Sequence, residues 1–182
     1  KRREAAGWGV EEAESPPLAE PAALQALLWL AEARRGNKAA LEKEGDPDAL
    51  FVFAQMEALC ATPDFNALLD AFQKRAAFVR AWMEFFERFP VAITPVSGEL
   101  PFRDQEDVES PEAFRRIMAA QLTQVGVPLM GLPGLTVTTG LVGTVPVGVQ
   151  LLAGRYREDL LLDAGAAIEA AGVPAAPIDP AW

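Results

Sequence analysis

The sequence predicts a mixed α/β fold, a β-sheet containing a hairpin and flanked by about five or six α-helices, and three observations carry the prediction. Helix starts recur as a capping residue followed by proline at the first helical position, at Asp46-Pro47, Thr62-Pro63-Asp64 and Ser110-Pro111-Glu112, with Glu20-Pro21 as a poorer version. Two β-rich stretches, Leu135 to Thr139 and Val145 to Leu152, flank a linker, Gly140 to Thr144, that contains two glycines, the pattern of a hairpin. Apolar residues make up 51% of the 182, with ten Phe and four Trp, which is ample for a buried core without disulfide or metal staples.

Lys1-Arg2-Arg3-Glu4-Ala5-Ala6-Gly7 reads as the last turns of a helix, with basic residues and a C′ glycine but no start, so a further segment is expected upstream. Trp8-Gly9-Val10-Glu11-Glu12 is a strand candidate that runs into the Pro16-Pro17 break. The four cap-proline starts place helices at about 21–35, 47–60, 63–88 and 111–124. The first ends at Arg34-Arg35-Gly36, as dipole and C′ preferences favour. The third carries Phe65, Leu68, Leu69, Phe72, Ala76, Val79, Trp82, Met83 and Phe86 at spacings of three and four, a stripe expected to be buried in the core, with a partner-binding groove or a subunit interface as the alternative for part of it.

Phe89 to Pro95 ends that helix and supplies a short apolar run between prolines, a buried strand. The charged loop from Val96 to Glu109 follows. A last helix, about 158–171, presents Leu161, Leu162, Ala166 and Ile168 and stops at Gly172 with Pro174 beyond. The reading is one domain over 1–182: a mainly helical region at 15–88, a strand-helix-hairpin-helix core at 89–172, and a surface tail at 173–182.

Sixteen basic against twenty-six acidic residues give a net charge of -10, so nucleic acid and anionic membrane are poor partners. No apolar run approaches the roughly 20 residues needed to cross a bilayer. The single Cys60 excludes an intrachain disulfide, and with no export-type segment the expected location is cytoplasmic. There is no histidine, so neither a Ser-His-Asp or Cys-His nucleophile nor a histidine-ligated metal can be built within the chain.

Gly131-Leu132-Pro133-Gly134-Leu135-Thr136-Val137, then Val145-Pro146-Val147-Gly148-Val149-Gln150-Leu151-Leu152, then Arg157-Glu158-Asp159-Leu160-Leu161-Leu162, resemble in order and spacing the carboxy-terminal end of the amidase-signature family. Trp82 to Pro95 is similar to the family's helix leading into its Thr-Pro strand end, and Gly7 to Glu12 with Pro16-Pro17 to its strand before a variable helical region. The resemblance is strongest over 126–170 and weak between 20 and 60; Pro128 stands where many members have Asn, which puts a substrate contact by that residue in doubt. Read by themselves, Gly131 and Gly134 around Pro133 permit a tight turn, Gly148 allows close approach of another backbone or marks a bulge, and Gln150 is a side chain for hydrogen bonding within the sheet.

The resemblance implies the carboxy-terminal part of an amidase-signature fold, hydrolysis of a small carboxamide without metal or organic cofactor, and a Ser, cis-Ser and Lys triad in a Gly/Ser-rich loop. In such chemistry a hydroxyl needs an adjacent base, and the tetrahedral intermediate needs backbone N–H donors. This chain has only Ser15, Ser97 and Ser110, none followed three residues on by lysine, and Lys1, Lys38, Lys43 and Lys74 stand at the chain end or on polar helical surface. The expectation is therefore a catalytic portion upstream, with no catalytic residue here and with Thr94, Met130 and Leu132 as candidates for the substrate-pocket wall because they sit at strand ends and turns. Two alternatives stand beside it: a non-catalytic interaction protein or homodimer using the aromatic helix face, and the glutaminase subunit of a tRNA-dependent amidotransferase.

Overall fold

The computed structural model describes residues 7–172, so the helix end read over the first six residues and the tail read over 173–182 lie outside it. The described residues fall into two compact units: a helical unit of Pro17–Ala81 and Ser97–Gly131, and a sheet unit of the described residues of Lys1–Pro16, Trp82–Val96 and Leu132–Trp182.

The helical unit contains α1 (Ala19–Gly36), α2 (Lys38–Glu44) and α3 (Pro47–Leu59). It also holds the first part of α4 (Phe65–Arg88), a 3-10 turn at Glu106–Val108, α5 (Pro111–Ala120) and α6 (Leu122–Met130). The cap-proline starts are realised where the cap has a free side-chain oxygen. Asp46 accepts from the Asp48 and Ala49 N–H groups at 2.9 and 3.0 Å, and Ser110 from Ala113 at 3.1 Å. At α4 the cap is Asp64 rather than Thr62: its carboxylate takes the Ala67 N–H at 2.7 Å, so the helix begins at Phe65. Pro21 sits in the first turn of α1, where its missing N–H costs no bond.

Two helices go beyond the sequence reading. After one residue, Asn37, the chain re-enters helix as α2, which ends on Gly45 at φ 73°. The predicted helix at 111–124 breaks at Gln121 into α5 and α6; α6 contains Pro128 in its last turn and stops at Gly131, φ 61°, whose N–H donates to the Pro128 carbonyl. Gly126 lies where α6 crosses α1: a Cβ there would stand 3.0 Å from the Leu18 carbonyl oxygen and 3.1 Å from the Ala22 nitrogen. Arg75 of α4 donates to the Leu129 carbonyl at 2.6 Å, satisfying one of the orphan acceptors at the end of α6.

The stripe of α4 is not uniformly buried. Trp82 is fully buried and Phe86 nearly so, but Phe65 is 72% exposed, with Leu69 and Phe72 also exposed. The side of the helix facing its unit is the one carrying Ala71, and Phe65, Leu69 and Phe72 lie off it, so the apolar surface is wider than the packed strip.

The sheet unit has three antiparallel strands, β1 (Val91–Pro95), β2 (Gly134–Val142) and β3 (Val145–Ala153), in the order β1-β3-β2, with α7 (Glu158–Glu169) against one face. Val137, Leu151 and Ala153 from the strands and Leu161, Ala164 and Ile168 from α7 form its core, with Trp8, Val91, Leu135 and Val149 packed against it. The hairpin is longer than predicted because ladder pairing continues to Val142↔Val145, closed by Gly143 at φ 64° and Thr144, with an irregularity between Thr138 and Gly140. The strand read over Trp8 to Glu12 does not form a ladder: residues 8–17 run without turn or bend and pair with no strand among the described residues.

Candidate functional site

Strand alternation divides the sheet unit's side chains between two faces. Odd-numbered β3 residues, Val149, Leu151 and Ala153, face the α7 core. The next positions face the other way. Thr94 is paired with Gln150, and Gln150 in turn with Thr136, so a polar row, Thr94–Gln150–Thr136, crosses all three strands on the face away from α7. On the adjoining rung, Thr138 faces Gly148, where a Cβ would lie 2.5 Å from the Val137 carbonyl oxygen. Glycine at 148 thus permits the close backbone approach expected of it.

The row is graded in burial. Thr136 is exposed, Gln150 is 8% exposed and engaged, and the Thr94 hydroxyl is buried without a hydrogen-bond partner among the described residues. Desolvating a hydroxyl without a replacement bond costs about 1–3 kcal/mol. Thr94 is thus a donor and acceptor held ready beside a hollow.

That hollow is a cleft of about 930 Å³ within the sheet unit. It is lined by Trp8 to Ala13 with Ser15, by Pro90 to Thr94, and by Trp82, Phe85, Arg88 and Phe89 at the end of α4. Its polar side chains are those of Glu11, Glu12, Ser15, Arg88 and Thr94. The Arg88 guanidinium lies 5.1 Å from the Phe89 ring centre, and the Ser15 hydroxyl donates to the Pro16 carbonyl at 3.1 Å. A smaller hollow of about 270 Å³ lies in the helical unit between α1 and α3, with Trp29, Leu30, Phe53 and Met56 among its walls.

Of the residues read as pocket wall, Thr94 lines the cleft of the sheet unit, whereas Leu132, 7% exposed, is in the core at the start of the hairpin. Met130 is fully buried and belongs to the helical unit. The serines all have local duties: Ser97 donates to the Ala120 carbonyl at 3.4 Å and accepts from Glu99, and Ser110 caps α5. Among the described lysines, Lys38 binds Glu57, while Lys43 and Lys74 are exposed. No serine–lysine hydrogen bond occurs among the described residues, and none of their acidic or cysteine side chains cluster as a metal site would. The sequence reading did not single out Thr136. Its signal was the alternation of Leu135 and Val137 with Thr136 and Thr138, which places the threonines on the opposite face.

Charge is organised in the helical unit. Glu57 of α3 receives Lys38 Nζ on both oxygens and Arg34 Nε on one, each at 3.1 Å, while Arg34 also donates to the Cys60 carbonyl at 2.9 Å. The Lys38 and Arg34 hydrogen bonds hold the Glu57 carboxyl below its ordinary value of 4.5. A depressed folded-state pKa stabilises above the unfolded value and ceases to do so as pH falls through the folded one. The helical unit is therefore expected to lose stability below about pH 4.5, and Glu57→Gln to flatten that part of the profile. Thermal melts from pH 7 to 3 check it, and parallel profiles for the two proteins would contradict it. In the 97–109 loop, Arg116 of α5 reaches Glu99 and Glu106, and Arg103 reaches Glu109 at 3.0 Å.

A family model described as Amidase matches residues 4–162. The indoleacetamide hydrolase of Bradyrhizobium diazoefficiens is 33% identical over 167 residues, covering 91% of this chain and 32% of that protein. A glutamyl-tRNA(Gln) amidotransferase subunit of Archaeoglobus fulgidus is 33% identical over 97 residues, 53% of this chain and 20% of that one. Among solved structures, Kluyveromyces lactis allophanate hydrolase superposes with a TM-score of 0.73 at 18% identity over 93% of this chain and 28% of its own. The chain thus spans a third or less of the length of these proteins. No described helix is long and apolar enough to cross a membrane.

Proposed function

The chain belongs to the amidase family, and from that membership we propose that it is the carboxy-terminal part of a cytoplasmic amidohydrolase that cleaves a small carboxamide. The nucleophile, in this reading, is the first serine of a Ser, cis-Ser and Lys triad carried upstream, with the lysine acting as base through the second serine. The observation that carries the proposal is the family match over residues 4–162 in a chain that spans 32% of an indoleacetamide hydrolase. The local commitments of the described serines support it, since none is left beside a base. The 1–182 stretch is then one carboxy-terminal portion that completes the fold.

Thr94, Leu132 and Met130 are proposed as contributors to the wall of the substrate pocket. Thr94 offers the polar atom, because its buried hydroxyl has no hydrogen-bond partner among the described residues. The names of the relatives define the amides to try: an aryl acetamide such as indoleacetamide, and glutamine, which would mark a glutaminase subunit.

The test is hydrolysis of a panel holding these and simple aliphatic and aromatic amides, by the complete parent polypeptide and by this chain. Turnover by the parent and none by this chain is expected. Turnover by this chain alone would overturn the proposal and direct attention to Ser15, Ser97 and Ser110. A second reading, an interaction or homodimerisation module, is favoured by one observation, the exposure of Phe65, Leu69 and Phe72 on α4. Silence from both proteins, with a sedimenting mass that falls on Phe72→Ser, would support that reading instead.

A further inference from the structure

We propose that Gln150 is a positioning residue: it stands across the strand from Thr94 and fixes that hydroxyl in the direction in which it meets the carboxamide of the substrate. The inference rests on the proposed function, in which Thr94 supplies the polar atom of the pocket wall, and it names the residue through which that atom is set.

The juxtaposition comes from the register. Gln150 lies between Thr94 on β1 and Thr136 on β2, on the face of the sheet away from α7. Side chains directly opposite on one face of an antiparallel pair have Cβ atoms about 4.5–5.5 Å apart, close enough to restrict each other's rotamers. On the rungs either side, Ala92, Gly134 and Gly148 project no side chain beyond Cβ, which leaves the Thr94 end of the row approachable. Thr94 itself lines the cleft.

Hydrogen bonding across the pair is uneven. A glutamine amide has an acceptor oxygen and two donor hydrogens, and a threonine hydroxyl both donates and accepts, so the two are able to pair. Yet the Thr94 hydroxyl has no hydrogen-bond partner among the described residues, while Gln150 is engaged. The amide is thus committed without using Thr94, and it acts on the hydroxyl as a wall rather than as a competitor. Leu152, fully buried two residues further along β3, shows that this face of the strand accepts an aliphatic side chain. Burying an amide where leucine fits costs stability, and what an engaged amide returns is one defined arrangement of its neighbours.

Thr94 has little other freedom. Pro95 follows it and confines its backbone to the extended region, and its β-branched side chain is stiff at χ1. What remains is which of its two Cβ substituents, hydroxyl or methyl, points along the face, and the side chain opposite makes that choice. A hydroxyl fixed in this way accepts from the N–H of a carboxamide, or donates to its carbonyl, with little rotamer freedom left to lose.

A double-mutant cycle in the complete parent tests the proposal, read in the hydrolysis of whichever amide of the panel it turns over fastest. Thr94→Val exchanges the hydroxyl for a methyl of the same shape. It is expected to raise KM about tenfold, the value of one hydrogen bond, without lowering the melting temperature of this chain. Thr94→Ser, which keeps the hydroxyl, is expected to recover most of that loss. Gln150→Met keeps the side-chain length and removes the amide; it is expected to raise KM by a similar factor alone and to add nothing in the Thr94→Val background. Gln150→Leu takes its place if the methionine variant does not fold. Losses that add in the double variant overturn the positioning role, as does an unchanged KM for the Gln150 variant. An active parent with either of those outcomes refutes this role and leaves the amidase reading intact. If the parent hydrolyses no amide, the same cycle is read in the calorimetric dissociation constants of indoleacetamide and glutamine: coupled losses there refute the amidase reading alone, and additive losses or no binding refute both.

Discussion

Trp82→Ala is expected to destabilise the sheet unit more than any other single truncation, by about 3–5 kcal/mol, the usual cost of removing a buried Trp or Phe. Trp82 is fully buried and its ring centre lies 5.6 Å from those of both Phe85 and Phe86, with Phe85 a further 4.9 Å from Phe89. Truncation removes one corner of the Trp82–Phe85–Phe86 triangle and leaves a cavity that the end of α4 cannot close without losing its own packing. In a chain of this size the change corresponds to a fall of about 10 °C in melting temperature. Thermal denaturation followed by near-UV circular dichroism reports it directly. A shift of no more than about 2 °C, about 0.5–1 kcal/mol at this size, would show that the ring contributes little and that the aromatic run is loosely packed.

The second large effect is expected at Gly148. An added Cβ would stand 2.5 Å from the Val137 carbonyl oxygen and 3.2 Å from its carbon, and both are backbone atoms of the paired strand. Nothing at that point can rotate aside, so Gly148→Ala must push β2 and β3 apart in the middle of the ladder. Overpacking of this kind costs about 1–3 kcal/mol in a core where side chains can shift, and the upper end or more is expected where backbone is struck. Gly140→Ala is the control: a Cβ there meets nothing within 4 Å. Urea unfolding of the two variants should differ clearly in midpoint. Equal midpoints would show that the hairpin opens at Gly148 without loss.

What could be read in advance was what depends on near neighbours in the chain. Asp46 and Ser110 cap their helices as their sequences indicate because the cap, the proline and the acceptor geometry all lie within four residues. The hairpin followed from its glycines and alternation, though its length depended on how far pairing could run past Thr139. The α4 start moved to Asp64 because two cap candidates stood two residues apart and the carboxylate formed the bond. Pro128 concealed α6, since a proline within a turn usually argues against helix. The candidate site was less legible for a stronger reason. Thr94, Gln150 and Thr136 become neighbours through the register of β1 with β3 and β3 with β2, and no local pattern states a register between strands so far apart. The exposure of Phe65 and Phe72 was likewise invisible, because periodicity shows which residues share a face of a helix and not how much of that face a neighbour covers.

The β1-β3-β2 order also bears on the sequence of events in folding. β2 and β3 are consecutive and closed by a two-residue turn, so their ladder can form early and locally. β1 must instead find β3 across the entire stretch that holds the 97–109 loop, α5 and α6. Closing a loop of that length costs entropy before any ladder bond is returned, which makes pairing of β1 a late step and hairpin formation an early one. Helices α5 and α6, built from local contacts, can fold while the strand is still searching, and their formation shortens the span it has to close.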